Sequence, residues 1–416
     1  MKMNLIPDKI NTHEELILAL KDAVELEMSL MIQYIYAAYS VPNLITGKQY
    51  LERGIWKPEH LEFMCGDGKE KMNQGVRGII LRIAKEEMMH FLMANNLLMA
   101  VGGSFHICTP DFSKMSMFYP LGVEMALEPF SEPCLERFMH FEWPSYYSDR
   151  TNPSLGNNAK TTYNTISNLY QKIRKAFQDH PEYILVDKKK TGGEHHLFLN
   201  QKTNKHHPDY QCQVDDLSSA LFTIDLITEQ GEGASIKDET INDSHFRKFE
   251  KMYQTLQKFN AKDEWFQAYP ALKNPSISGK AGTNKVLDAE AVEVMHIFNE
   301  CFDISLQMIV QHFGKKPTES LRRSKWMNAS IDIMLGLMRP LGALLMSMKS
   351  GIPGSTAGPS FELEQPIQYI PYEIAAKKII SQKFERLYAT AQKLDIIPDS
   401  TKELLHFFIS FTHTLD

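Results

Sequence analysis

The sequence lacks the features that mark several common classes of protein. It contains no G-x-G-x-x-G after a strand, no P-loop and no nucleophile elbow, which argues against nucleotide-dependent and serine-hydrolase chemistry. The net charge is −6 and no dense basic stripe is present, so no nucleic-acid partner is expected. No uncharged apolar run reaches the roughly 18 residues of a membrane span, and the N-terminal run MKMNLIPDKINTHEE lacks the apolar core of a secretory signal.

Cysteine is also scarce, with five residues in a chain of 416 and no C-x-x-C pair. This argues against a disulfide framework and against a cysteine zinc site. We therefore expect reduced thiols in a cytoplasmic protein, at Cys65, Cys108, Cys134, Cys212 and Cys301. The chain is rich in hydrophobic residues, at 43%, and has 23% charged residues, as a soluble globular protein with a large core requires.

Helical periodicity dominates the chain, and neither a strand-rich region nor a short repeat is evident, so the sequence predicts an all-α protein. Residues 104–158 are predicted to be irregular, and HHLFLNQKT to form a small hairpin. The proline- and glycine-containing run PALKNPSISGKAGT indicates a linker. The predicted domains are a metal-binding bundle at 1–265, the linker at 266–284 and a C-terminal helical subdomain at 285–416.

A pair of polar residues interrupts the apolar stripe of the helix predicted at about 75–101. Glu87 and His90 are three positions apart and share one helix face with Ile80 and Leu97. Glu27 lies in the same way on the stripe of the helix predicted at about 12–39. A carboxylate is costly to bury unless it is paired or binds a metal, so this pattern indicates metal ligation. The alternatives are a buried Glu–His hydrogen bond without metal and a partly exposed helix edge.

A second set of candidate ligands follows further along the chain. The run LITEQGEG supplies Glu229 and Glu232 where a predicted helix ends at glycines, and His245 lies on the next apolar stripe with Phe249 and Met252. The alternative for Glu232 is a solvated loop carboxylate, and for His245 a core or capping histidine. We interpret Glu27, Glu87, His90, Glu229, Glu232 and His245 as the candidate metal ligands.

Two other groups of histidines receive a structural interpretation. The pair Glu293 and His296 repeats the Glu-x-x-His spacing in the C-terminal half, but the neighbouring predicted helix offers few partner carboxylates. The pairs His195-His196 and His206-His207 lie in a polar loop, where surface histidines are expected.

Three runs of the chain resemble the ferritin-like domain of the iminophenyl-pyruvate dimer synthase type. These are AVELEMSLMIQYIYAAYS, IAKEEMMHFLMANNLLMAVGG and EQGEG with the following SHFRKF. The resemblance covers about residues 12–260, and TAGPSFE at 356–362 resembles the stand-alone members. It implies a ferritin-like helix bundle, with an additional C-terminal helical region, and a buried metal centre formed by the six candidate ligands. The same domain forms part of large synthases that couple two oxidised tryptophan units on the way to bisindole pigments.

One position departs from the family pattern. The third helix of the family typically contains Ile-Gly-Glu-x-Tyr, whereas this chain has Ile-Ser-Asn-Leu-Tyr at 166–170, with Asn168 in place of the glutamate. An amide is a weaker ligand than a carboxylate. The substitution implies a single metal, an altered pair, a site with modified chemistry or a degenerate site.

The residues and the resemblance together predict a non-haem iron-dependent oxidoreductase of secondary metabolism. It would be an oxidase or oxygenase that uses dioxygen and acts on an amino-acid-derived small molecule. A mixed carboxylate and imidazole shell suits iron, mononuclear or dinuclear, or manganese. The alternatives are a metal-binding ferritin-like protein without turnover and a structural helical protein with a degenerate metal site. A homodimer is expected because symmetric oligomers are common, and no membrane partner is expected.

Overall fold

The computed structural model describes residues 9–67, 74–108, 110, 112, 124–144, 166–186, 197–199, 210–212, 214–232, 244–262, 264–314 and 324–415. Helices dominate these residues, which confirms the all-α prediction. They are α1 (His13–Ser40), α2 (Leu44–Glu52), α3 (Pro58–Cys65), α4 (Gly75–Ala100), α5 (Glu132–Phe141), α6 (Ile166–Asp179), α7 (Leu217–Glu232), α8 (His245–Asn260), α9 (Ala289–Gly314), α10 (Lys325–Ile333), α11 (Arg339–Ser347), α12 (Glu373–Ala391) and α13 (Asp399–Phe411).

The strands in the described residues are short and form two small pairs. Strands β1 (Leu197–Leu199) and β2 (Tyr210–Cys212) pair antiparallel, in agreement with the predicted hairpin, although its second strand follows later than HHLFLNQKT indicates. Strands β3 (Pro275–Ser276) and β4 (Asn284–Lys285) pair in parallel. The predicted surface histidine pairs lie outside the described residues, as does Tyr163, which helical periodicity places on the bundle face.

Helix α1 begins and ends as its sequence predicts. The Thr12 hydroxyl accepts from the backbone N–H of Glu15, and the Glu15 carboxylate accepts from the backbone N–H of Thr12, which forms a capping box. Pro42 follows the last turn and cannot continue the helix. Helix α1 is buried along most of its length because it packs against α4. This is the most extensive helix–helix packing among the described residues.

The other bundle helices surround the α1–α4 pair. Helices α6 and α7 pack on each other, with α6 also against α1 and α7 also against α4. Helix α8 contacts α4, α5 and α7. This arrangement brings α1, α4, α5 and the start of α8 to a common point inside the bundle.

Helix α5 lies in a segment predicted to be irregular. Ser131 caps its N-terminus, Pro133 is in the first turn, where proline is tolerated, and Leu135 and Phe138 are buried against α8. The prediction was wrong here because the flanking prolines concealed a helix of only 10 residues. This helix contributes to the site described below.

The C-terminal region packs around α9, which contacts α10, α11 and α12, while α13 packs on α12. Helices α10 and α11 are joined by a π-helical turn, Met334–Met338, into one 23-residue helix, Lys325–Ser347. This helix is long enough to cross a membrane, and an 18-residue stretch of it has a mean hydropathy of 1.4. Half of that stretch is buried inside the protein, however, and core helices of soluble proteins meet the same two criteria.

Residues 266–284 are attached to the bundle by hydrogen bonds. Trp56 donates its indole N–H to the carbonyl of Phe266, and Tyr36 donates its hydroxyl to the carbonyl of Leu272. A single cluster of buried apolar side chains extends through both the bundle and the C-terminal helices. The proposed division into 1–265, 266–284 and 285–416 stays a prediction.

Four of the five cysteines are described with their side chains, and no disulfide joins any two of them. Cys65, Cys134 and Cys301 are buried, whereas Cys108 is exposed. The prediction of reduced thiols is therefore confirmed for these four.

Candidate metal centre

A first group of donor atoms comes from the middle of α1 and α4. Glu27, Glu87 and His90 are each about 1% exposed, and one donor atom from each lies within 4.8 Å of the others. Nδ1 of His90 is 3.1 Å from Oε2 of Glu87 and 3.7 Å from Oε2 of Glu27. The three side chains that periodicity places on two inward stripes therefore converge, and we call them the first group.

A second group shares one of these residues. Glu87, Glu142 and His245 are buried and also have donor atoms within 4.8 Å of one another. Nδ1 of His245 is 2.7 Å from Oε1 of Glu87 and 3.6 Å from Oε1 of Glu142. The two oxygens of Glu87 thus face different histidines, Oε2 toward His90 and Oε1 toward His245. A carboxylate in this position can bridge two cations.

Two donor atoms of the second group lie close together without forming a hydrogen bond. Oε1 of Glu87 and Nδ1 of His245 are 2.7 Å apart, yet neither has a hydrogen-bond partner within the described part of the chain. Buried polar atoms are normally satisfied, so such a pair requires an explanation. Carboxylate and imidazole donors aimed at a common point in a dry interior are what a divalent transition metal binds. The residues therefore fit a metal.

Burial and the neighbouring charges shift the pKa values of Glu27, Glu87 and His245. Burial and the neighbouring Glu87 carboxylate hold the pKa of Glu27 well above its usual range. Burial acts in the same direction on Glu87, but His90 and His245 outweigh it and lower the pKa of Glu87. Burial would lower the pKa of His245, yet Glu87 and Glu142 raise it well above its ordinary value. The raised pKa values favour the protonated forms of Glu27 and His245, whose protons a bound metal ion would displace, whereas the lowered pKa keeps Glu87 ionised.

Two buried tyrosines hold the outer carboxylates in place. The Tyr170 hydroxyl donates to Oε1 of Glu27 at 2.5 Å, and the Tyr34 hydroxyl donates to Oε1 of Glu142 at 2.6 Å. Tyr34 is itself fixed edge-on against Phe138 of α5, with ring centroids 4.5 Å apart. Each tyrosine occupies one carboxylate oxygen and so restricts the rotamer of the glutamate.

The remaining nitrogen of each histidine has its own partner. Nε2 of His90 is 2.9 Å from the amide oxygen of Gln230, and Nε2 of His245 is 3.0 Å from Oε2 of Glu86. Burial would raise the pKa of Glu86, but His245, with Lys248 and Arg82, lowers it to about 2. Glu86 is therefore an ionised carboxylate behind His245.

Four of the six candidate ligands meet at this centre, and one whose side chain is described does not. Glu27, Glu87, His90 and His245 belong to the two groups. Glu229 is half-buried on α7 and belongs to neither group. Its charge acts on Asp225 instead, whose pKa is raised mainly by burial and in part by Glu229. The side chain of Glu232 lies outside the described residues.

Sequence reasoning missed Glu142 because it missed α5. Glu142 directly follows the last residue of α5 and is 4% exposed. It follows Leu135 by seven residues and Phe138 by four, so it continues their buried stripe. The signal was therefore present: a carboxylate on an apolar stripe, as at Glu27.

Asn168 does not lie at the centre. It is half-buried and lines an open surface depression of about 310 Å³ with Lys9, Gln171 and Lys172. Tyr170, two residues later, is the residue of α6 that reaches the site. Among the described residues, a further carboxylate reaches the centre from Glu142, which directly follows α5; the effect of Asn168 on metal binding stays a prediction.

The sequence also departs from the symmetric pattern of two-metal helix bundles. Symmetric two-metal bundles use one glutamate from each of two helices and a Glu-x-x-His pair from each of the other two. Here the residue three positions before His245 is Asn242, so the sequence has no Glu-x-x-His pair at this place. Among the described residues, the two groups together contain three carboxylates and two imidazoles.

Comparison with known proteins agrees with this architecture. The profile of the ferritin-like family matches residues 20–254, more than half of the chain. The chain is 42% identical over 412 residues to dichlorochromopyrrolate synthase of Lentzea aerocolonigenes, covering 96% of this chain and 41% of that protein. It is 40% identical over 407 residues to 2-imino-3-(indol-3-yl)propanoate dimerase of Chromobacterium violaceum, covering 97% and 39%.

The chain thus spans about two fifths of the length of these two relatives. Among solved structures, a ferritin-like protein from Caulobacter vibrioides matches 85% of this chain and 100% of its own, with 16% identity and a TM-score of 0.46. That likeness is too low to support a conclusion. The family profile, which matches more than half of the chain, is sufficient: the chain belongs to the ferritin-like family.

Proposed function

We propose that the protein binds two metal ions in its bundle, one at the first group and one at the second, with Glu87 as the bridging ligand. The observation that carries this proposal is the opposed orientation of the two Glu87 oxygens, each toward a different buried histidine. Glu27 and His90 complete one position, and Glu142 and His245 the other. The roles of Glu229 and Glu232 as ligands stay predictions.

Iron is the proposed metal, with manganese as the alternative of similar ligand preference. Either ion supplies one-electron chemistry with dioxygen when it is bound by carboxylates and imidazoles. The protein keeps bulk water away, since all five ligand side chains are at most 4% exposed. Tyr170 donates to the Glu27 oxygen that faces away from His90, whereas Tyr34 donates to the Glu142 oxygen that lies 3.6 Å from Nδ1 of His245.

We propose that the enzyme is an oxidase or oxygenase acting on an amino-acid-derived small molecule. The names of the two relatives support this proposal, since one is a 2-imino-3-(indol-3-yl)propanoate dimerase and the other a dichlorochromopyrrolate synthase. The substrate class to test first is therefore an aryl 2-imino acid. A homodimer, predicted from the sequence, also stays a prediction.

The direct test is dioxygen consumption with an imino acid made in place from an aromatic amino acid by an amino-acid oxidase, in the presence of catalase. The iron-loaded protein is expected to consume dioxygen beyond the rate of the amino-acid oxidase alone, and the metal-free protein is not. Glu87→Gln removes the bridging carboxylate while retaining the shape of the side chain, and Glu293→Gln on the surface is the matched control.

Equal activity of the parent and Glu87→Gln, both loaded with iron under the same conditions, contradicts the proposed active site. Metal binding without any imine-dependent oxygen consumption contradicts the proposed substrate class and leaves the metal site in place. The two parts of the proposal are thus tested separately.

A further inference from the structure

The two ligand histidines differ in what contacts the nitrogen that faces away from the metal position. His90 and His245 are buried to the same extent, so solvent does not distinguish them. Behind His90 is the side-chain amide of Gln230, at 2.9 Å, and behind His245 is the carboxylate of Glu86, at 3.0 Å. One imidazole therefore has a neutral partner and the other an anionic partner.

Glu86 is held firmly in this position. Oε1 of Glu86 accepts from Nε of Arg82, one turn earlier on α4, at 3.0 Å. Oε2, which contacts His245, is also 3.5 Å from Nζ of Lys248 on α8. Glu86 is 5% exposed, so its carboxylate is a fixed buried group with cationic partners from both helices.

Adjacent residues of α4 therefore contact opposite sides of one ring. Glu86 contacts Nε2 of His245 and Glu87 contacts Nδ1. This arrangement assigns Nε2–H as the donor to Glu86 and leaves the Nδ1 lone pair for a metal. The ring cannot rotate without losing a buried charge-assisted contact, so its orientation is set before metal binds.

A carboxylate behind a ligand histidine does more than an amide. It accepts the N–H bond with a full negative charge and so raises the electron density on the metal-facing nitrogen. Removing such a partner typically weakens metal binding by about 10–100-fold. The amide oxygen of Gln230 fixes the tautomer of His90 in the same way, but it is uncharged.

We propose that Glu86 is a positioning residue that makes the two metal positions unequal. The position formed by Glu87, Glu142 and His245 binds metal more tightly and fills first. The position formed by Glu27, Glu87 and His90, backed by Gln230, is the weaker and more readily exchanging one. This inference rests on the proposed two-metal site.

The experiment is a titration of the purified full chain with Zn²⁺ against a competing chromogenic chelator, because Zn²⁺ does not react with dioxygen. The parent is expected to bind about two equivalents with two different affinities. Glu86→Gln, which gives both histidines an amide partner, is expected to weaken only the tighter step, by about 10–100-fold. Gln230→Glu, which gives both a carboxylate, is expected to tighten only the weaker step over a similar range.

The identity of the tighter position is tested with His90→Ala and His245→Ala. The first variant is expected to retain the tight equivalent and the second to lose it. Lys248→Met, which leaves the Glu86–His245 contact in place and removes one cation behind it, provides a second route if Glu86→Gln does not fold, and it is expected to weaken the tight step less. Circular dichroism and the thermal midpoint of each metal-free variant report folding.

The outcomes separate the inference from the proposal on which it rests. A parent that binds no Zn²⁺ overturns both. A parent that binds two equivalents with one affinity, or tight binding that survives Glu86→Gln unchanged, overturns the inequality and leaves the two-metal site standing. Loss of the tight step in His90→Ala and not in His245→Ala also overturns it.

Discussion

The chain contains the same four-residue spacing in two helices, and the two copies have opposite environments. In α4, Glu87 and His90 are about 1% exposed and meet side chains from other bundle helices. In α9, Glu293 and His296 are both exposed. The difference follows from the helix face, because in α9 the buried stripe passes through Val294 and Phe298 and not through the Glu-x-x-His pair.

The next carboxylate along α9 supports this contrast. Glu300 lies one turn beyond His296 and pairs with Lys383 of α12 at 3.1 Å, close to Asp303, which contacts the same ammonium group. Partly exposed ion pairs of this kind contribute little to stability. The Glu-x-x-His spacing alone therefore does not predict a pair of metal ligands. The pair must lie on a buried stripe that faces carboxylates on neighbouring helices.

Removing the carboxylate charge at the equivalent position of each pair should give the largest difference in metal content. Glu87→Gln is expected to abolish binding of about two equivalents of metal, because the bridging ligand serves both positions. Glu293→Gln is expected to bind as much metal as the parent. Metal analysis by mass spectrometry after loading and desalting measures both. Equal metal contents in the two variants would show that the buried pair is not a ligand pair.

The histidines of the two pairs provide the next comparison. His90→Ala is expected to reduce the bound metal from about two equivalents to about one, since the second group retains all its donors. His296→Ala is expected to have no effect on metal content. A saturating ligand at 100 times its dissociation constant stabilises a protein by about 2.7 kcal/mol, so the metal-induced rise in thermal midpoint should fall in His90→Ala only.

Glu142 tests the part of the site that the sequence did not reveal. Glu142→Gln keeps an oxygen for the Tyr34 hydroxyl but removes the negative charge beside His245. We expect weaker metal binding at the second group and an unaltered first group, measured by chelator competition. Glu136→Gln, on the partly exposed face of the same helix, is the matched control. If both variants bind metal as the parent does, Glu142 is not a ligand.

The smallest expected effect concerns the hydroxyl that holds Glu27. Tyr170→Phe removes a hydrogen bond to a buried carboxylate, which typically contributes about 1.5–3 kcal/mol to stability. Urea unfolding of the metal-loaded protein is expected to show a loss in this range, with metal stoichiometry retained. Tyr372→Phe, at a side chain that is 79% exposed, should change stability by less than about 0.5 kcal/mol. An unchanged midpoint in Tyr170→Phe would argue against this role of the hydroxyl.

Periodicity predicted the ligands that lie within long helices. Glu27, Glu87 and His90 interrupt continuous apolar stripes, so their burial follows from the pattern alone. Periodicity also predicts that Asn168 and Tyr170 lie on different faces of α6, because residues two apart on a helix point about 200° apart. Tyr170 aligns with the buried Ile173 and Phe177, and Asn168 therefore could not face the same point as Tyr170.

The remaining features depend on tertiary contacts that periodicity does not report. Glu142 follows a short helix between prolines, and its contact with His245 joins residues 103 positions apart in the printed sequence. Glu86 is adjacent to a predicted ligand, but its contact with His245 exists only because α4 and α8 cross at this point. The choice between Gln230 and Glu229 as the residue that reaches His90 is likewise set by the rotation of α7, which the sequence leaves open.

Anomalous scattering from a crystal of the manganese- or iron-loaded protein tests the central claim most directly. Two peaks are expected, one about 2.0–2.3 Å from Glu27, Glu87 and His90 and the other in the same range from Glu87, Glu142 and His245. A fully loaded crystal with no peak between α1, α4 and α8, or with its metal held by residues outside the two groups, would contradict it.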